Sequence, residues 1–444
     1  MSDKKSKKLE LLQKVLKWMA VLILKKYNPR VIGITGSVGK TSAKEAVFSV
    51  LAGRFRARKN EKNYNNEIGI PLTIIGSMSG GQSVFKWAGV FLRWLEILIF
   101  PAEYPEVLVL EIGADRPGDI KYLTSFIRCE IAVITDISES HLEYFKTLDK
   151  IAQEKWILAE KLKAGGLAVV NIDNERILKL KNSKKNGEMR FLSFGFSDLA
   201  DVKAADVFYN YSNKNIEDGE GIKGLSFKLN YKGTAIPVRL NNILARHGIY
   251  AALAAAAVGV ESKLNLVEIA EALENFSMPA GRMNLISGIK NTFIIDDTYN
   301  ASSASTAAAL EVLKDIKAPR KIAVLGDMLE LGINTEKGHR DAAKKFSEIK
   351  NGVFFAVGKR MRVAAEELEK RKVSPERIFV FENPEEAGRK LETIIKKNDL
   401  ILVKGSQGMR MEKVVEEIMA EPEKAEDLLC RQDESWKSRP WKEV

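Results

Sequence analysis

Apolar and polar positions change their rhythm several times along the chain, and each change predicts a different element. Residues 8–27 read as one helix, because Leu12, Val15, Leu16, Met19, Leu22 and Ile23 recur at helical spacing. From Val31 the pattern becomes strand, loop, helix. Apolar, β-branched runs occur at Val31–Thr35, Val107–Leu110, Ile131–Thr135 and Leu167–Asn171, and helical patterns such as Leu148–Leu162 separate several of them. That alternation predicts a mostly parallel sheet covered on both faces. Residues 190–240 alternate in short segments with Lys- and Asn-rich turns, and predict antiparallel strands at the edge of the same domain. Helical spacing returns at Arg246–Val258 and Leu266–Glu274, after which Met278-Pro279-Ala280-Gly281 breaks the chain. A second alternation predicts strands at Thr292–Ile295, Ile322–Leu325, Val353–Val357, Ile378–Phe381 and Leu400–Val403, again with helices between. The expected class is α/β. The expected layout is a leading helix at 1–29, a central domain at 30–280, a smaller α/β domain at 281–420, and a polar tail at 421–444 that could dock.

One stretch departs from these rhythms. Val84–Phe100, inside an apolar insertion at 77–105, is interrupted only by Lys86, Arg93 and Glu96. Helical geometry puts these three close to one face and leaves a wide apolar surface. Two readings are open, a membrane-surface element and a helix packed on the protein. With 17 residues and three charges it is a poor spanning segment.

Composition narrows the class. The 444 residues are 45% hydrophobic and 29% charged, which excludes disorder, collagen-like repeats and a disulfide scaffold. Length favours at least two domains. Cys129 and Cys430 lie far apart and predict a reducing compartment with no bridge. The net charge is +11. Residues 1–30 hold nine basic side chains against Asp3 and Glu10, so most of the excess sits in the leading helix. That distribution argues against a broad nucleic-acid face. No secretory signal is apparent, since lysines interrupt the apolar part and no cleavage site follows. The leading helix either packs on the next domain or anchors to an anionic membrane. Packing is preferred, because no lipidation motif supports an anchor.

The chemistry begins at Gly33-Ile34-Thr35-Gly36-Ser37-Val38-Gly39-Lys40-Thr41-Ser42, which follows a strand and opens a helix. Glycines let backbone N–H groups turn toward phosphate oxygens, and the helix N-terminus adds partial positive charge. Lys40 can reach the β- and γ-phosphates, and the Thr41 hydroxyl can ligate Mg²⁺. The strict phosphate-loop pattern wants a glycine at Ile34, so the match rests on Gly-x-x-Gly-Lys-Thr in its strand–loop–helix context. Glu111 ends an apolar strand at the carboxyl side, where open α/β sheets place ligands and where a carboxylate can hold Mg²⁺ beside Thr41.

Thr35-Gly36-Ser37-Val38-Gly39-Lys40-Thr41 resembles the Mur ligase family. The resemblance continues in Asn63-Tyr64-Asn65-Asn66-Glu67-Ile68-Gly69-Ile70-Pro71-Leu72-Thr73, Glu111-Ile112-Gly113-Ala114-Asp115, Gly118-Asp119-Ile120 and Asp296-Asp297-Thr298-Tyr299-Asn300-Ala301-Ser302. Leu325-Gly326-Asp327-Met328-Leu329-Glu330-Leu331-Gly332 and Lys404-Gly405-Ser406 complete it, from about Val31 to about Val415. The branch most resembled adds D-alanyl-D-alanine to a muramyl tripeptide. The resemblance implies a central P-loop ATP-binding domain and a C-terminal Rossmann-like domain.

It also implies roles. Thr35 to Ser42, with His247, Asp297 and Asn300, would surround ATP. Thr41, Glu111, His141 and Lys155 would hold two Mg²⁺ ions, with Lys155 carbamylated so that its cation becomes an oxygen ligand. Glu154 stands where the family has a small residue. Arg282 matches a hinge arginine that meets the γ-phosphate when the domains close. Asn65, Asn66, Lys404 and Ser406 would contact substrates. The implied reaction forms an acyl phosphate from a carboxylate and ATP, and the dipeptide amine then attacks it. Lys40, His141, Lys155 and Arg282 are the candidate catalytic groups.

The sequence departs from the family pattern in two places. Gly248 and Ala251 stand where it has asparagines. The phosphate loop comes only 35 residues into the chain, which leads to the expectation that a UDP-binding domain is missing and that Val84–Phe100 or a partner holds the muramyl peptide. Competing expectations are a ligase on another acid, similar to folylpolyglutamate or cyanophycin synthases, and a nucleotide-binding scaffold that has lost catalysis. The expected partners are small-molecule substrates and no nucleic acid, with a peripheral membrane or cell-wall-enzyme contact through 1–29 and 84–100. The expected location is cytoplasmic, with membrane association at the inner face.

Overall fold

The computed structural model describes residues 2–61, 64–138, 142–183, 187–212 and 221–437. The chain divides into two compact units. Unit 1 comprises 1–206, 227–238 and 247–276, and unit 2 comprises 207–226, 239–246 and 277–444.

Unit 1 is built on a sheet of β1 (Arg30–Thr35), β2 (Ala57–Lys59), β3 (Val107–Glu111), β4 (Ile131–Ile134), β5 (Leu167–Asn171), β6 (Arg190–Gly195), β7 (Val202–Tyr211), β8 (Ile222–Tyr231) and β9 (Thr234–Asn241). The order is β2-β3-β1-β4-β5-β6-β7-β8-β9. Parts of β7 to β9 are counted with unit 2. β3, β4 and β5 are buried along their whole length, as central parallel strands with both faces covered must be. One expectation is corrected here. β6 pairs parallel to β5, and β7 pairs parallel to β6 over two residues. The antiparallel edge therefore starts later, at β7–β8, where Ser212 N–H donates to the Gly221 carbonyl and Asp206 pairs with Lys228, and it continues through the β8–β9 hairpin with its two-residue Lys232-Gly233 turn.

The leading helix α1 (Ser2–Tyr27) buries Leu16, Met19, Ala20 and Ile23 in the same core as Ile70, Leu72, Ile74 and Ile75. The last four lie on or beside the short helix α3 (Gly69–Ile75), which follows α2 (Lys40–Ala52). Val15, expected on the buried face, is exposed instead. The apolar insertion forms α4 (Val84–Ile99), capped by the Ser83 hydroxyl, which accepts from Lys86 N–H. Trp94 Nε1 donates to the Met19 carbonyl of α1 at 3.1 Å. Lys26 Nζ donates to the carbonyls of Ile97, Leu98 and Phe100, closing the C-terminal end of α4 with a cation. Among the described residues no helix is long and apolar enough to cross a membrane.

Unit 2 contains a six-stranded sheet of β10 (Asn284–Gly288), β11 (Thr292–Asp297), β12 (Lys321–Gly326), β13 (Val353–Val357), β14 (Ile378–Phe381) and β15 (Leu400–Lys404). Its order is β10-β11-β15-β12-β13-β14, and only the β10–β11 pair is antiparallel. The polar tail docks onto unit 2. Arg431 reaches a buried Glu412 and the carbonyls of Thr298 and Tyr299, while Arg410 holds the other Glu412 oxygen at 2.6 Å. Arg431→Ala would leave Glu412 Oε2 and the Thr298 and Tyr299 carbonyls without this donor, while Arg410 keeps the Glu412 charge paired. It is therefore expected to destabilise unit 2 by about 1–3 kcal/mol, read as a lowered denaturant midpoint at unchanged slope.

Candidate functional site

β1 delivers the chain at Thr35 into the loop Gly36-Ser37-Val38-Gly39, and α2 starts at Lys40. Gly39 sits at the N-cap in the left-handed region, φ 81°. Gly36 has no room for a side chain, since a Cβ there would lie 2.0 Å from the Thr135 hydroxyl oxygen and 3.0 Å from Asp136 N. The loop is tied to the end of β4. Ser37 N–H donates to the Asp136 carbonyl at 2.7 Å, its hydroxyl donates to the Ser138 carbonyl, and the Thr135 hydroxyl donates to the Val38 carbonyl at 2.6 Å. The first turn of α2 holds no acidic side chain, so its N–H groups keep their positive end. Lys40 lies over the loop, with Nζ donating to the carbonyls of Gly36 at 2.8 Å and Ser37 at 3.2 Å. Thr41 is half-buried and Ser42 buried beside it.

A cavity of about 300 Å³ opens next to this loop. Val38, Gly39 and Ala43 line one side, and Asn171, Asp173, Asn174, His247, Tyr250 and Ala251 line others. Asp173 organises its rim by accepting from the N–H groups of Phe196 and Ser197 and from the Tyr250 hydroxyl at 2.9 Å. Phe196 meets the Tyr250 ring edge-on. A larger open groove runs past Arg190, Tyr231 and Glu261, but none of the expected site residues lines it.

Glu111 is the last residue of β3 and is buried. Oε1 accepts from Asn65 Nδ2 at 3.0 Å, while Asn60 brackets its backbone on both sides. Oε2 has no hydrogen-bond partner among the described residues, and neither has the buried Thr35 hydroxyl. A buried, unpartnered carboxylate oxygen is costly, and a hard cation would satisfy it. The residues present thus fit Mg²⁺ at this strand end, although no cluster of three or more His, Cys, Asp or Glu forms among the described residues.

Lys155 lies on the helix Leu148–Glu160 and is buried. Desolvation and then the charge of Lys40 pull its pKa down to about 7, against the opposing pull of Glu154, Asp115 and Asp136. The departure at Glu154 has a local reason. Its carboxylate accepts from Gly118 N–H and Ile120 N–H, both at 2.9 Å, and so caps the short helix α5 (Asp119–Thr124). His141 lies outside the described residues.

Within unit 2, Asp297 and Lys404 end adjacent parallel strands and face each other in register. Lys404 Nζ is buried and donates to Asp297 at 2.6 Å and to the Asn300 carbonyl at 2.8 Å. Asn300 Oδ1 accepts from Gln407 N–H, and the Ser406 hydroxyl accepts from Leu329 N–H. Asp297, Asn300, Lys404 and Ser406 therefore come together, with Lys404 pinned between two strand ends. Asp296 beneath them is fully buried. Burial raises its pKa to about 6, despite hydrogen bonds from Thr298 and Gly281. Arg282 stacks on the Tyr299 ring at 4.2 Å.

The chain matches the Mur ligase middle domain over residues 95–259 and the Mur ligase glutamate ligase domain over residues 281–407. It is 30% identical over 400 residues to the UDP-N-acetylmuramoyl-tripeptide–D-alanyl-D-alanine ligase of Buchnera aphidicola subsp. Baizongia pistaciae, covering 90% of this chain and 77% of that protein. The chain belongs to the Mur ligase family. The enzyme of the same name from Bacillus subtilis is 28% identical, over 92% of this chain and 79% of its own. Solved structures share the fold. MurF from Acinetobacter baumannii aligns at a TM-score of 0.73 over 91% of this chain and 79% of its own, at 24% identity. The MurF ligase of Thermotoga maritima, solved with ADP, aligns at 0.71 over 93% and 84%, also at 24%.

Mur ligases are ATP-dependent ligases. Sequence reasoning missed several groups around this member's site. Asn60, Asn171, Asp173 and Asn174 were missed because Asn60 sits among Arg58, Lys59 and Glu61, and the other three lie in a short polar stretch that reads as an ordinary strand-to-helix turn. Asn66, expected to contact substrate, uses its carbonyl oxygen to accept from Ile68 N–H and Gly69 N–H at the start of α3. His339, one of only three histidines, is fully buried and structural, with Nε2 accepting from Met328 N–H.

Proposed function

We propose that this Mur ligase joins D-alanyl-D-alanine, or a similar amine, to a muramyl peptide through an acyl phosphate. The observation that carries the reading is the Gly36–Ser42 loop and the buried Glu111, whose Oε2 lacks a partner among the described residues. The N–H groups of the loop and of the first turn of α2 would hold the phosphates. Lys40 would leave its two carbonyls and place its ammonium on the transferring phosphoryl group. Mg²⁺, when bound by Thr41 and Glu111, would neutralise phosphate charge. His141 and a carbamylated Lys155 complete a second metal site in this reading. A lysine whose pKa is pulled down to about 7 has a far larger neutral fraction than an ordinary lysine, and only the neutral amine can take up carbon dioxide. The cavity lined by His247, Tyr250 and Ala251 would take the nucleoside. Asp297 and Asn300 would contact the nucleotide, and Arg282, Lys404 and Ser406 would serve the phosphoryl group and the amine substrate.

Ala251 and Gly248 replace amides by small apolar groups, which supports weaker nucleoside selection and keeps a non-catalytic scaffold as the second reading. Gly36→Ala is expected to weaken ATP binding by at least roughly a hundredfold, because the added methyl must displace Thr135 and Asp136. Calorimetric titration with ATP would measure this.

A ligation assay over several acceptors and amines, with Lys40→Ala as control, tests the reading. Product formation with UDP-muramyl tripeptide and D-alanyl-D-alanine is expected. Turnover of glutamate-type amines alone would favour another acid ligase, and ATP binding without product would favour the scaffold. The reading includes a peripheral contact at the inner face of the membrane through 1–29 and 84–100.

A further inference from the structure

Helix α4 has two apolar faces. Val90, Trp94 and Ile97 are buried in unit 1. Val84, Phe85, Ala88, Phe91, Leu92 and Ile99 lie on the opposite side and are exposed, with Phe85 at 91%, Val84 at 79% and Leu92 at 63%. At 100° per residue these positions fill an arc of about 120°, and Lys86, Arg93 and Glu96 occupy a separate arc between the two apolar ones.

The exposed arc continues onto α1, where Leu11, Val15 and Trp18 are exposed at helical spacing. Trp18 and Phe91 both pack on Trp94, at 5.1 and 5.3 Å between ring centroids, so the two helices present one surface. Lys8, Lys14, Lys25 and Lys86 are exposed on the same two helices. Among the described side chains of α1, Glu10 is an exposed acid, and Glu96 on α4 is paired with Arg93. Single exposed apolar residues need no explanation, but a contiguous apolar surface with a cationic rim does.

We infer that this α1–α4 face docks unit 1 on an anionic lipid bilayer, with α4 lying in the plane of the headgroups. Three observations favour a bilayer. Phe85 and Val84 are almost wholly exposed, which suits insertion into a fluid. Trp18, Phe85 and Phe91 are exposed on the two helices that also expose Lys8, Lys14, Lys25 and Lys86, the residue mix of interfacial anchors. The charge of residues 1–30 complements anionic headgroups. A muramyl peptide would find no hydroxyl, amide or carboxylate along this arc to pair with, so the expectation that α4 holds that substrate is set aside. The inference deepens the peripheral contact in the proposed function and names its partner.

The test is flotation of the full chain with vesicles of phosphatidylglycerol and phosphatidylcholine in about equal parts, beside vesicles of phosphatidylcholine alone. Phe85→Ser/Leu92→Ser and Lys8→Glu/Lys14→Glu change only exposed side chains, so both variants should fold. The wild type is expected to float with the anionic vesicles only. Each double variant should lower partitioning about tenfold or more. Ligation of soluble substrates should stay unchanged, which separates failure here from failure of the ligase reading. Equal flotation on both lipids, no flotation, or undiminished flotation of Phe85→Ser/Leu92→Ser would overturn the inference. So would a wild-type dimer that ignores vesicles and that this variant makes monomeric.

Discussion

Lys40→Ala is expected to lower kcat/KM for ligation by about a thousandfold or more, since removing one preorganised charge partner from a transferring group costs two to three orders of magnitude or more. The ammonium rests on two loop carbonyls, those of Gly36 and Ser37, and its removal exposes them to solvent at the mouth of the loop rather than stranding them in a core. The melting temperature should therefore shift by only a few degrees. ATP affinity should fall less than turnover, because the loop N–H groups remain. A variant that keeps more than a tenth of wild-type turnover would remove Lys40 from the chemistry. One that loses its cooperative unfolding would make the activity loss uninformative, and Lys40→Gln would then replace it.

Glu111→Gln should show the opposite pattern, with a large loss of activity and no loss of stability. The amide keeps the shape of the side chain and can still accept from Asn65. It also replaces a buried carboxylate oxygen that has no partner among the described residues by a neutral amide nitrogen, which removes the buried charge. A neutral orphan is less costly to bury than a charged one, so the unliganded variant should be as stable as the wild type or slightly more so. The cation that would satisfy Oε2 should no longer bind tightly. Mg²⁺ should raise the melting temperature of the wild type but not of the variant, and turnover at saturating ATP should fall by roughly two to three orders of magnitude. A variant stabilised by Mg²⁺ as much as the wild type would show that the metal sits elsewhere.

Much of this architecture was legible because central parallel strands announce themselves. Val107–Leu110, Ile131–Thr135, Leu167–Asn171 and Val353–Val357 are uninterrupted apolar runs, and both faces of each are covered. β10 was not legible, because it is a half-buried antiparallel edge strand whose residues, Asn284-Leu285-Ile286-Ser287-Gly288, carry no apolar run. α3 was hidden for the opposite reason. All seven of its residues are buried, so no polar face marks a period.

The candidate site divides the same way. Gly36, Gly39, Lys40 and Thr41 form a contiguous motif and could be read directly. Asp173 and Arg431 act through distant partners, Tyr250 in one case and Glu412 with Thr298 in the other, and nothing local distinguishes them from solvated charges. The leading helix was legible as amphipathic, but which of its apolar residues would be left in solvent depends on α3 and α4, and Val15 fell on the open side.

The most direct measurement follows the oxygen atoms of the acceptor. UDP-muramyl tripeptide labelled with heavy oxygen in its terminal carboxylate, incubated with ATP, Mg²⁺, D-alanyl-D-alanine and the full chain, should give one ADP and one phosphate per peptide bond, with one labelled oxygen in each phosphate. Release of unlabelled phosphate, or of ADP with no dependence on the amine, would contradict ligation through an acyl phosphate.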